Sequence, residues 1–119
     1  MESLELVKAA AKILDEKKGK NITAIETTEL TIVSDYFLIV SASSVTHTKS
    51  LADDVEYEMK KNYGISPNHI EGRATGWILL DYGSVIIHVF QDESRDYYNL
   101  ERLWTDAHEL DLSDIISED

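Results

Sequence analysis

The sequence has 119 residues, 43% of them hydrophobic, and 23 acidic against 11 basic side chains give a formal charge of −12 at neutral pH. That length suits one domain burying roughly two-thirds of its unfolded surface, and the absence of cysteine excludes disulfides, thiol catalysis and cysteine-based zinc or iron–sulfur sites. So acidic a surface repels phosphate backbones, so no direct nucleic-acid binding is expected, while a basic partner is favoured. No apolar run reaches the ~18 residues of a membrane span. No basic, then apolar, then small-residue leader pattern opens the sequence, so a cytoplasmic location is expected.

In chain order, Ser3 can cap a helix running to about Lys18, with Gly19 as its stop. Leu4, Val7, Ala11 and Leu14 form its apolar stripe. Ile22 to Thr27 is a weakly patterned strand. Asp35 to Val40 is nearly continuously apolar and runs into Ser41-Ala42-Ser43-Ser44. A strand apolar on both faces is expected at the centre of a sheet, with helices on both sides. A second helix follows from about Thr46 to Asn62, capped by Ser43 or Ser44, with Leu51, Val55 and Met59 as its stripe. Tyr63-Gly64-Ile65-Ser66-Pro67 breaks it, and Ile70 to Arg73 is a short candidate strand.

Trp77 to Phe90 carries the most information. It reads W-I-L-L-D-Y-G-S-V-I-I-H-V-F, two β-rich runs about Gly83-Ser84. A glycine at the first central position of a two-residue loop tolerates φ > 0. With those two residues as the loop, Tyr82 faces Val85, Leu80 faces Ile87 and Ile78 faces Val89. That face is apolar apart from one phenol. Alternation puts Trp77, Leu79, Asp81, Ile86, His88 and Phe90 on the other face. An indole, a carboxylate and an imidazole among apolar groups suit a docking or active surface.

After Gln91 the pattern is again helical, with Ser94 as a candidate cap and Tyr97, Leu100, Leu103, Trp104 and Ala107 at helix spacing. From Gln91 onward there are ten acids and only Arg95 and Arg102. Residues 108–119 are expected to be an acidic tail, frayed or docked as a short segment, with one domain over 1–107. The order predicts an α/β fold, a mixed sheet of about five strands with helices packed on it.

The sets that chemistry needs are incomplete. His47, His69, His88 and His108 show no metal-ligand spacing, and His69 with Glu71 supplies two ligands at most. Ser44 lacks the G-x-S-x-G elbow of a nucleophile. Gly72 to Gly76 lacks the lysine and helix of a phosphate loop, and Asp53 and Asp54 point about 100° apart on a helix, too divergent to grip one magnesium ion. His47 reads as a hydrogen-bonding residue near a helix start. For His88 and Asp81 two uses fit: a catalytic pair, or two half-buried polar groups satisfying each other. With no nucleophile nearby, the second is preferred. Cross-strand packing of Trp77 on Phe90 competes with an interface role, which the enrichment of tryptophan at binding hot spots favours.

Several segments together resemble the ribosomal silencing factor family, RsfS or Iojap-like. They are Asp35 to Ile39, His47 with Leu51-Ala52-Asp53, Gly76 to Gly83, Val85 to Phe90, and Arg95-Asp96-Tyr97-Tyr98-Asn99-Leu100-Glu101-Arg102-Leu103-Trp104-Thr105-Asp106-Ala107. Ser43 and Ser84 depart from the family pattern, which usually has glycine and aspartate there. The resemblance implies a nucleotidyltransferase-like fold, often dimeric when free. It implies binding to the large ribosomal subunit through its fourteenth ribosomal protein, on the face that meets the small subunit. Joining of the subunits would then be blocked sterically and translation repressed when nutrients are short, with no cofactor and no chemical step. Partner binding is expected from Trp77, Leu79 and Phe90 as anchors, Tyr82 or Tyr98 as the amphipathic rim, Asp81 and Glu101 as charged contacts, and His88 beside them. The alternative, from fold analogy alone, is a nucleotidyltransferase-like nucleotide-binding enzyme.

Overall fold

The structure is a computed structural model that describes residues 1–27, 34–72, 76–99, 102 and 108–116. Helix α1 (Ser3–Glu16) buries Leu6, Val7, Ala10, Ala11, Ile13 and Leu14 along one face, a spacing of three and four. Leu4, expected on that stripe, is 41% exposed; Leu6 is buried in its place, while Val7, Ala11 and Leu14 are buried as expected. Ser3 is not the cap. Glu2 holds that position and makes no side-chain capping bond. At the far end Lys18 adopts the left-handed conformation, φ 72°. Gly19 answers a different need, because a Cβ there would stand 2.7 Å from Val40 Cγ2 and 2.9 Å from the Leu14 carbonyl oxygen. Its lack of a side chain lets the chain leave α1 against the sheet and enter β1 (Lys20–Glu26).

Strand β2 (Tyr36–Ala42) pairs antiparallel with β1 and leads directly into α2 (Val45–Tyr63). Of the two candidate serines, Ser44 caps α2, its hydroxyl accepting the His47 backbone N–H at 3.0 Å. Gly64, at φ 69°, ends the helix, and its N–H donates to the Lys60 carbonyl as a left-handed C-terminal cap does. Leu51, Val55 and Met59 are buried.

Next come β3 (His69–Glu71), β4 (Trp77–Asp81) and β5 (Val85–Gln91). The β4–β5 register is the one that a Gly83-Ser84 loop demands. Trp77 faces Phe90, Ile78 faces Val89, Leu79 faces His88 and Leu80 faces Ile87. Tyr82 N–H closes the loop on the Val85 carbonyl at 3.0 Å, and Gly83 has φ 84°. Helix α3 (Asp92–Tyr98) follows at once, with Gln91 and not Ser94 at its cap position. Residues 109–110 form β6, antiparallel to β1.

Among the described residues the sheet therefore has six strands, in the order β3-β4-β5-β2-β1-β6, one more than the pattern suggested. Only β2 and β5 run parallel. The fold is α/β, a mixed sheet with helices packed on it. β2 lies inside the sheet, as a strand apolar on both faces should. Helices α1 and α2 cover one face, where Leu38, Val40, Leu80, Ile87 and Val89 join the helix stripes in the main core. The other face holds a smaller cluster of Ile25, Ile39 and Phe90, with Phe37 and Trp77 partly buried against it.

The described part of the acidic tail, residues 108–116, is docked. Leu112 is 6% exposed and belongs to the main core, and Ile115 and Ile116 pack against it. Replacing Leu112 by alanine is expected to cost about 2 kcal/mol or more in a urea-unfolding titration, as for other buried leucines, whereas a frayed tail would show no change.

Candidate functional site

Strand register sorts the side chains of the second face into rows. Across β3, β4, β5, β2 and β1, one row reads His69, Asp81, Ile86, Phe37, Ile25, and the next reads Glu71, Leu79, His88, Ile39, Thr23. A third row holds Trp77, Phe90 and Ser41. The interior of this face is buried: Phe90 and Ile39 are fully buried and His88 is 4% exposed. The β3–β4 side is open: Trp77, Leu79 and Asp81 are half-buried, and His69 and Glu71 are exposed.

Four rings form the centre. Trp77 stacks on Phe90 with centroids 5.0 Å apart, and Phe37 meets His88 edge-on at 4.8 Å. Trp77 Nε1–H donates to His88 Nδ1 at 3.1 Å. Accepting that bond requires an unprotonated Nδ1, so the ring proton sits on Nε2. Nε2 is buried and has no acceptor among the described residues. Burial pushes the His88 pKa down to about 4, because a charged imidazolium in this setting would lose its hydration.

Asp81 is occupied elsewhere. Its Oδ1 accepts the Gly83 N–H at 2.7 Å, and its Oδ2 lies 3.5 Å from His69 Nδ1. The carboxylate thus braces the hairpin loop and faces an exposed histidine from β3. His88 Nδ1 takes Trp77 as its partner rather than Asp81, so the two polar groups do not pair with each other.

Three of the residues expected to touch a partner lie elsewhere. Phe90, expected as an anchor, is completely buried beneath Trp77, and His88 is buried beside it. Tyr82, expected at the rim, points to the opposite face into the main core, 8% exposed. Its hydroxyl has no partner among the described residues, and burial raises its pKa. The hairpin's own alternation explains this, since Tyr82 shares a face with Leu80 and Ile78. Glu101 and the side chain of Tyr98 lie outside the described residues, as do Leu100, Leu103, Trp104 and Ala107. Exposed Glu71, beside Leu79 on the edge strand, is a surface residue that sequence reasoning weighed only as a metal ligand.

The other polar residues serve the fold. His47 Nδ1 is 3.2 Å from both the Ser43 N–H and the Ser43 hydroxyl, and its Nε2 is 3.4 Å from the Lys17 carbonyl. It ties the start of α2 to the end of α1. Arg95, given no role by its sequence context, is 8% exposed. Its guanidinium donates to the Asn21 carbonyl, to Ser41 Oγ at 2.9 Å and to Thr23 Oγ1 at 3.2 Å, pinning α3 to β1 and β2. An open cleft of about 630 Å³ lies there, lined also by Lys20, Asp92 and Asp96, and Lys20 and Asp92 pair across it at 3.6 Å. Among the described residues no group of three or more histidine, aspartate or glutamate side chains is placed to hold a metal ion. No helix among them is long and apolar enough to cross a membrane.

A family described as "Ribosomal silencing factor during starvation" matches residues 1–119. The chain belongs to the ribosomal silencing factor family. The match includes the acidic tail, in keeping with the docking of β6 and Leu112. The ribosomal silencing factor RsfS of Bacillus subtilis is 36% identical over 94% of this chain and 95% of its own length. The mitochondrial Iojap-related protein of Arabidopsis thaliana is 30% identical over 87% of this chain. A crystal structure of a Chromobacterium violaceum protein superposes with a TM-score of 0.84 at 34% identity, covering 88% of both chains. A second, from Bacillus halodurans, gives 0.73 at 31% identity. RsfS proteins are non-enzymatic silencing factors of the ribosome, and this sets aside the nucleotidyltransferase-like alternative.

The buried imidazole should make stability depend on pH. Below about pH 6.5 the unfolded chain takes up a proton at residue 88 that the folded chain refuses until about pH 4. Stability conferred by the neutral ring is therefore full above 6.5 and is lost as pH falls to about 4, by about 3 kcal/mol in all. The difference in urea midpoint between wild type and His88→Asn should shrink across that window. A difference constant with pH would contradict the assignment.

Proposed function

We propose that this chain binds the large ribosomal subunit through its fourteenth ribosomal protein. Covering the surface that meets the small subunit, it blocks joining and represses translation when nutrients are short. The action is steric, takes place in the cytoplasm and needs no cofactor. A homodimer of the free chain belongs to the same reading. Direct contact with nucleic acid does not, since the formal charge is −12 and phosphate backbones would be repelled.

The observation that carries the proposal is the whole-chain family match joined to a half-exposed tryptophan seated on a rigid base. Trp77 rests on fully buried Phe90 and is bonded to buried His88, so docking it sacrifices little side-chain freedom. Leu79 extends the apolar patch along β4. Asp81 and Glu71 flank it with negative charge, which would meet arginine or lysine on a basic ribosomal protein. Tyr98 and Glu101 would add to the rim. An apolar anchor inside a charged border is the usual make-up of a protein-binding hot spot.

Trp77→Ala is expected to weaken binding to purified large ribosomal subunits by about 2 kcal/mol or more, roughly thirtyfold. A folded Trp77→Ala protein that binds as tightly as wild type would overturn the assignment of this face.

A further inference from the structure

We infer that His88 is a positioning residue for the docking face, holding the indole of Trp77 so that its N–H points inward and an apolar edge faces the partner. The inference rests on the docking role of Trp77 proposed above and names the group that sets its orientation.

Stacking alone leaves that orientation open. Phe90 lies under Trp77 at 5.0 Å with 28° between the planes, which fixes the plane of the indole. A half-turn about the indole's last side-chain torsion keeps the same plane in contact and exchanges the two edges, and such terminal torsions are broad. What distinguishes the two arrangements is the single donor of the indole. In the observed one, Nε1–H meets His88 Nδ1 at 3.1 Å. In the other, the N–H would face outward and need an acceptor from the partner, at a cost if none were supplied.

His88 is built to hold that bond. It sits on β5, with Leu79 on one side and Ile39 on the other. Phe37 packs edge-on against its ring at 4.8 Å, and only 4% of the residue is exposed. Protonation of Nδ1 would destroy the acceptor. Burial opposes this by lowering the pKa to about 4, so the indole stays held throughout the neutral range. The exposed part of Trp77 is then purely apolar, and a partner needs only an apolar pocket to receive it.

Nitrogen NMR on the wild-type protein tests the bond without any substitution. A through-hydrogen-bond coupling between Trp77 Nε1 and His88 Nδ1 is expected, with Nδ1 unprotonated at pH 7. A protonated Nδ1, or no coupling, overturns the inference. Binding to purified bacterial large ribosomal subunits tests the consequence. His88→Leu removes the acceptor and should weaken binding about tenfold, the scale of one freed side chain plus an N–H left without acceptor. His88→Asn, close to leucine in size but with an oxygen near the Nδ1 position, should bind within about threefold of wild type, on the strength of that retained bond. Normal binding by His88→Leu while Trp77→Ala fails to bind overturns the positioning role alone, as does His88→Asn binding as weakly as His88→Leu. Normal binding by Trp77→Ala removes the docking reading, and the positioning role with it.

Discussion

The parallel pairing of Tyr36–Ala42 with Val85–Gln91 is the constraint on which the rest of the structure depends. It runs over seven consecutive residue pairs and joins the α1-β1-β2-α2 half of the chain to the hairpin. The backbone anchors it at one end, where the Ser84 carbonyl accepts the Asp35 N–H at 2.7 Å and the Tyr36 N–H at 3.2 Å. The hairpin loop thus fixes where β2 begins as well as the register within the hairpin. A parallel pair needs a crossover, and α2 provides it. Packed on one side of the sheet with α1, it buries one set of alternate side chains and assigns the other set to the second face.

That assignment divides the labour between the two faces. The helix-covered side is largely aliphatic, with the phenols of Tyr36 and Tyr82 among its buried residues, and serves stability. The second side spends its central positions on rings, Phe37, His88 and Phe90, with Trp77 lying over them. An aliphatic base would bury as much apolar area, but it could not take a hydrogen bond from the indole. The imidazole does so at the expense of acid tolerance, since a buried base that must stay neutral favours unfolding once the unfolded chain can bind the proton. The docking role proposed for this face would thus sit where it costs some stability, as is common at binding surfaces.

Features with a short sequence period or a single special residue were legible from sequence. The hairpin register follows from Gly83 and the alternation on either side of it, and α2 from its serine cap, its Leu51-Val55-Met59 stripe and Gly64. The family could be read from separated segments up to Ala107, each weak alone, while its extension over the tail to residue 119 could not. What escaped had no local signature. Strand β6 is two residues long, too short to show alternation, and exists only because β1 offers it an edge. The bonds from Arg95 to Asn21, Thr23 and Ser41 span more than fifty residues of sequence, so no spacing rule finds them. Alternation places Tyr82 on the apolar face and Phe90 on the mixed one, and residue type alone suggests that they touch a partner; their burial is decided by which face meets the helices and which side chain lies above. The partner of His88 was missed for a related reason. Asp81 lay on the same face, but the loop N–H and His69 claimed it, and the indole next to Leu79's row took the imidazole.

The central claim is that the second face docks on the large subunit and excludes the small one. Sedimentation of ribosomal subunits under joining conditions, with and without the purified chain, tests it most directly. The account predicts that joined ribosomes give way to free subunits and that the chain travels with the large subunit. Joined ribosomes persisting at full amount while the chain rides on them, or the chain travelling with the small subunit, would contradict it.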